Sequence, residues 1–202
     1  MDWGNGSDVT SALCNVVMAG ASIFAAYNAK SWFSQRSHGK GLDLAEEIIS
    51  DIDKFFKFIE DISGDIVADY DYIKEISGFG HCAKFKNNSH FSSLIEICEK
   101  KPKLVRDTLY QYTVIERWSI EVRNKDEILL IIRNFEIFFQ QVKDFYVEAS
   151  KINVLIQQRF DTGEGTTQFE TYKQSVDFSL EIIKKLYHEF KKQKFSHFFS
   201  LK

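Results

Sequence analysis

Residues 9–29 carry no formal charge, and this 21-residue run constrains the chain more than any other feature. At 1.5 Å per residue, a helix of that length reaches roughly 30 Å, the thickness of the hydrocarbon layer of a bilayer. Length therefore predicts one transmembrane helix. Composition points less strongly the same way, because Thr10, Ser11, Asn15, Ser22 and Asn28 are polar and many other positions are Ala or Gly. The polarity is also uneven around the helix. At 100° per residue Ser11, Asn15, Met18, Ser22, Ala26 and Ala29 fall on one side, while Leu13, Val16, Val17, Ile23, Phe24 and Tyr27 fall on the other. The second side suits lipid. The first suits protein or water, since small residues let helix backbones approach and Asn or Ser hydrogen-bond between helices. The pattern predicts self-association of the span and, in its sharper form, a water-lined pore with Asn15 and Ser22 facing the lumen.

The flanks of the run orient it. Asp2 and Asp8 precede it, whereas Lys30, Arg36 and Lys40 follow it. A secretory signal peptide has the opposite polarity, and the positive-inside rule places the N-terminus outside and the remainder in the cytoplasm. Tyr27, Lys30, Trp32 and Phe33 then form an anchor at the inner headgroup level, with Trp3 as an outer counterpart. This reading divides the chain into a short external N-terminus (1–8), a span (9–29), a basic aromatic junction (30–41) and a cytoplasmic domain (42–202). The competing reading is a buried helix of a soluble protein, because Ala- and Gly-rich segments also build cores.

The rest of the chain has the composition of a folded helical domain. Hydrophobic residues make up 44% and include 19 Phe, ample apolar surface to offset the entropy of ordering. One proline and ten glycines leave few places where helices must stop. Leu42, Ala45, Ile48, Ile49, Ile52, Phe55, Phe56, Ile59 and Ile62 keep helical spacing after a break at Gly39 and Gly41. Ser63 and Gly64 predict a second break, followed by a shorter helix through Ile66, Tyr70 and Ile76. Residues 78–89 read as the main loop, then a short helix over 89–100. Pro102 suits the first turn of another helix through Trp118. The longest helix is expected over 126–160, a turn at 161–167, and a last helix from Phe169 to Phe190. No strand pattern is evident. The fold class is all-α: one transmembrane helix plus a cytoplasmic antiparallel bundle of about four principal helices.

Catalytic chemistry is harder to find. The chain has no phosphate-binding glycine loop ending in Lys and Ser/Thr, no zinc-protease His pair and no Gly-flanked nucleophilic Ser. None of its five His has an Arg four to six residues upstream, the spacing common in helical toxin nucleases. No catalytic residue and no cofactor are assigned. His81, Cys82, His90 and Cys98 lack the paired spacing of a zinc site, so no metal is assigned either. Three cysteines, with Cys14 inside the uncharged run, suit a reducing compartment. The acidic stretch Glu60, Asp61, Asp65, Asp69, Asp71 and Glu75 reads as a solvated face.

A formal net charge of −3 gives no global basic field, and direct nucleic-acid binding is not expected. The C-terminus is basic locally. Lys191, Lys192, Lys194 and Phe195 suit contact with an anionic membrane surface, with a nucleic acid or an acidic partner as the alternatives, although lysines complementing the dipole of a helix end give the same pattern.

A weak N-terminal span, a basic aromatic junction (Asn28, Ala29, Lys30, Ser31, Trp32, Phe33) and a long helix leading into a bundle together make a layout that resembles small single-span bacterial membrane proteins. Among these are the membrane effectors of retron-type antiphage defence. The resemblance covers residues 9–60, is one of layout, and transfers no catalytic residue. It implies an effector of the bacterial inner membrane that permeabilises the bilayer as an oligomer, restrained by a regulatory protein or ribonucleoprotein partner. A membrane-tethered scaffold or sensor and an RNA-acting helical toxin are the alternatives.

Overall fold

The computed structural model describes residues 6–79, 85–158 and 163–201. Its first element, α1, is one helix over Gly6–Phe79, 74 residues long. Four long helices dominate: α1, α2 (Asn88–Val114), α3 (Lys125–Gln157) and α4 (Gly163–Lys192). A 3₁₀ turn (Ile115–Trp118) and strand β1 (Ile120–Val122) join α2 to α3, and a short helix α5 (Phe195–Phe198) leads into strand β2 (Phe199–Leu201).

Side-chain pairs fix the direction of each helix. His90, Lys101 and Thr108 of α2 lie against Asp69, Phe58 and Asp51 of α1, so α2 runs antiparallel to it. Phe135, Phe139 and Asn153 of α3 meet Phe55, Phe58 and Tyr72, so α3 runs parallel to α1. Phe169 and Tyr187 of α4 stack on Tyr70 and Phe56, which returns α4 antiparallel. Consecutive helices thus alternate in direction, as in an up-and-down bundle. α3 is the central element, with Phe135, Phe138, Phe139, Val142, Phe145, Tyr146, Ala149 and Ile152 fully buried. From residue 45 onward α1 buries Ala45, Ile48, Ile52, Phe55, Phe56, Ile59, Ile62, Ile66, Ile73 and Ile76.

Several sequence expectations need correction. Gly39, Gly41, Ser63 and Gly64 do not break α1. An isolated helical glycine costs about 1 kcal/mol relative to alanine, less than the burial of one flanking isoleucine contributes. Pro102 lies inside α2, not at a helix start. It costs about 3 kcal/mol, yet the buried face of Phe91, Leu94, Cys98, Val105, Thr108 and Tyr112 keeps its three-and-four spacing on both sides of it. The longest helix is α1, and α3 occupies Lys125–Gln157, beginning one residue before the 126–160 expected for it. Residues 163–167 of the turn expected at 161–167 belong instead to α4; residues 159–162, like 80–84 of the loop expected at 78–89, lie outside the described residues. Finally, β1 and β2 form an antiparallel two-stranded ribbon, with Ile120 opposite Leu201 and Val122 opposite Phe199.

Candidate membrane-contacting site

Among the described residues, no other element packs on the first part of α1. Every residue from 9 to 36 is exposed, although the run is rich in large apolar side chains: Leu13 is 67%, Val16 71%, Ile23 72% and Phe24 69% exposed. At 1.5 Å per residue these positions project roughly 40 Å beyond the bundle. The helix is long and apolar enough here to cross a membrane, and none of that stretch is buried. A core helix of the chain's own bundle, the competing sequence reading, is therefore not what this segment forms.

Ser11, Asn15, Met18, Ser22 and Ala26 follow one another at steps of four, three, four and four along α1, and all are exposed. The Ser22 hydroxyl donates to the Met18 carbonyl at 2.8 Å, which satisfies its proton within the helix. The Asn15 carboxamide has no side-chain partner among the described residues. In a bilayer such a group demands one from a neighbouring helix.

The junction is built differently. Tyr27 is 73% exposed, and Trp32 and Phe33 meet edge to face at 5.0 Å. Lys30 is exposed beside them, and the Arg36 guanidinium lies 5.1 Å from the Trp32 ring centre. One turn further the bundle reaches α1. A Cβ on Gly41 would lie 2.5 Å from Ile120 Cγ1 and 2.6 Å from the Trp118 carbonyl oxygen, so only glycine permits this approach. The approaching segment turns sharply at Ser119, a non-glycine residue at φ 61°. As a result Trp118 covers Lys40, with its ring centre 4.9 Å from the ammonium nitrogen, and the Ser119 and Ser37 hydroxyls lie 3.4 Å apart. Sequence reasoning named Arg36 and Lys40 only as flanking charges and missed Trp118, because the contact depends on a helix-to-strand turn.

The pairing of β2 with β1 draws the C-terminus to this same end of the bundle. Lys191, Lys192 and Lys194 are exposed there, and Phe195 is 37% exposed. Lys192 pairs with Glu189 at 2.8 Å, and Lys191 lies over the Tyr187 ring. Asp53, Phe190, Lys191, Phe195 and Phe198 share a groove with Ile49, which sets these lysines about two turns of α1 beyond Gly41. The structure thus brings the junction and the basic tail to one end without placing them in contact.

The opposite end holds the buried polar groups. Asp69 is only 1% exposed, which corrects its assignment to a solvated face. It binds the Lys86 ammonium and lies 3.0 Å from His90 Nε2. Tyr72 donates to Asn153, which donates in turn to the Lys86 carbonyl and to Asn88. These bonds tie residues 86–90 to α1 and α3. Burial and the neighbouring Asp69 and Asp65 carboxylates push the Tyr146 phenol up. Cys98 is buried, and burial pushes its thiol up to about 12. Trp3, His81 and Cys82 lie outside the described residues. No known protein family, curated protein or solved structure matches the chain.

Proposed function

We propose that the chain is a single-span membrane effector whose bundle lies in the cytoplasm and whose span associates with other copies to disrupt the bilayer. The observation that carries this reading is the bare apolar segment at residues 9–36, continuous with a helix that is fully packed from Ala45 onward. Water cannot cover such a segment without cost. Exposing a Val, Ile or Phe side chain forgoes about 1.5–3 kcal/mol relative to burial, and the segment holds many of them. Lipid supplies the burial, and the helix satisfies its own backbone, the condition for crossing hydrocarbon. Asp2 and Asp8 before the run and Lys30, Arg36 and Lys40 after it favour an outer N-terminus.

The unpartnered Asn15 carboxamide supports association of spans through the Ser11, Asn15, Met18, Ser22 and Ala26 face. The bundle is the part that a cytoplasmic regulator would hold. Because one uninterrupted helix belongs to both, a change in the bundle tilts or rotates the span directly, and this is how release of a partner would activate it.

Induced expression in bacteria tests the reading. The chain should resist extraction by alkaline carbonate and should collapse the membrane potential. Asn15→Leu with Ser22→Leu should insert equally well but no longer depolarise, since the change makes the span more apolar and removes its polar face. Depolarisation equal to the parent's would reduce the span to an anchor and favour a tethered scaffold, and toxicity that survives deletion of residues 1–30 would favour a cytoplasmic target.

A further inference from the structure

Between α1 and the 3₁₀ turn lies an open groove of about 410 Å³, lined by Phe33, Arg36, Ser37, Lys40 and Trp118. Its chemistry is selective. Both charged residues are cations, both sit against indole rings, and neither makes an ion pair with a carboxylate among the described residues. Elsewhere in the bundle lysine and arginine commonly pair with acids, as in Lys143 with Glu99, Lys74 with Glu170 and Arg106 with Glu136. Two cations held beside a hydroxyl with no anion between them form a receptor for one.

The groove is also shaped by features that secondary structure alone does not require. Gly41 allows the 118–120 backbone to press against α1, and Ser119 takes the left-handed conformation, which costs a non-glycine residue about 1 kcal/mol or more. Both place Trp118 over Lys40. Without them the two cations would stand on a bare helix.

Position identifies the anion, and this step rests on the single-span reading above. If Trp32 and Phe33 lie at the inner headgroup level, Arg36 and Lys40 follow one and two turns below, roughly 5 and 10 Å further along the helix. Their long side chains reach back toward the interface, and the groove opens beside the phosphates of the inner leaflet. We propose that this groove binds the phosphate of an anionic phospholipid, with Arg36 and Lys40 as its charge partners, the Ser37 hydroxyl as a donor and Phe33 and Trp118 against the glycerol and upper acyl chain. Occupancy would fix the bundle against the membrane at one rotation about α1.

The test uses the full chain in a non-ionic detergent, equilibrated with phosphatidylglycerol or phosphatidylcholine and examined by native mass spectrometry for retained lipid. One phosphatidylglycerol per chain should be retained, in clear excess over phosphatidylcholine. A cation near an anionic lipid surface contributes about a factor of five, so Arg36→Gln with Lys40→Gln should lower retention roughly 25-fold. Lys191→Gln with Lys192→Gln should not lower it, and unchanged thermal melting of both variants excludes misfolding. Equal retention of the two lipids, or retention indifferent to Arg36 and Lys40, overturns the proposal. So does displacement of the lipid by inorganic phosphate at equal concentration, because the groove would then be a site for free phosphate. Carbonate extraction separates the two readings: a chain that resists extraction but retains no phosphatidylglycerol defeats this inference alone, and a chain that is extracted defeats the span.

Discussion

The two halves of α1 share a backbone and differ in everything that surrounds it. From residue 9 to 36 no side chain is covered, while from Ala45 to Ile76 the helix buries a residue at every third or fourth position. The packed half takes its stability from tertiary burial, as most helices do. The bare half is covered by no other described element, and in water it offers a large apolar surface. A single helix thus presents two kinds of surface, and the change falls at Arg36 to Gly41, where charge, indole rings and the first close contact with the bundle coincide.

The largest expected effect separates the halves physically. Deleting residues 1–30 should move the chain from the membrane pellet to the supernatant and leave its melting temperature unchanged, because residues 9–30 are exposed throughout. Sedimentation without detergent and a circular-dichroism melt measure both. A truncated chain that stays insoluble, or melts early, would show that the bare half contributes to the fold.

Core truncations give the next largest effect. Phe139→Ala, in the centre of α3 against Phe58 and Phe138, should destabilise the bundle by about 3–5 kcal/mol. Phe24→Ala, at 69% exposure in the bare half, should leave denaturant unfolding of the bundle unaltered. Equal losses at the two positions would erase the distinction between the halves.

A pair of glycines two residues apart sharpens where the boundary lies. Gly41→Val forces the Ile120 side chain and the Trp118 carbonyl away, at a cost of about 1–3 kcal/mol for overpacking. Gly39 has open space where its Cβ would be, so Gly39→Ala should be neutral or stabilise the helix by up to about 1 kcal/mol. Thermal melts of the two variants with opposite signs are expected. The same sign for both would mean that the 118–120 segment does not seat on α1 as described.

Much of this arrangement was legible from residue order. The uncharged run, the helical spacing of Ile48 to Ile62 and the extent of α3 all rest on periodicity and charge, which are local. What escaped was decided by tertiary packing. The continuity of α1 through Gly39, Gly41 and Gly64 and of α2 through Pro102 follows from buried faces that outweigh a local helix-breaking preference. Asp69 reads as one more carboxylate in an acidic stretch until Lys86 and His90 arrive from 17 and 21 residues away. Trp118 reads as the end of a helix until Ser119 turns the chain. The ribbon of Ile120–Val122 with Phe199–Leu201 joins two three-residue strands that carry too few positions to show alternation.

The smallest effect concerns the two described cysteines, one in the bare half of α1 and one in α2 of the bundle. Cys14 is exposed on the bare segment, while Cys98 is 1% exposed and its thiol is pushed from 9.0 up to about 12 by burial. Because the folded state keeps this proton where the unfolded chain releases it, the contribution to stability is intact below about pH 9 and declines as pH rises toward 12. Tyr112, Tyr146 and Tyr187, also pushed up by burial, add to the alkaline loss in any variant that retains them. The cysteine share is therefore read as a difference. Cys98→Ala should be slightly less stable than the parent at pH 7 and should lose less stability between pH 9 and 11, so the two denaturation curves converge. Parallel curves would mean that the thiol is not shielded as described. Labelling gives an independent measure in a Cys82→Ser background: in detergent-free membranes a water-soluble maleimide should spare both cysteines. Complete unfolding should expose Cys98, and dissolving the bilayer in a mild detergent that leaves the bundle folded should make Cys14 the faster of the two. If Cys14 reacts at once in intact membranes, the bare half faces water, and lipid is not what covers it.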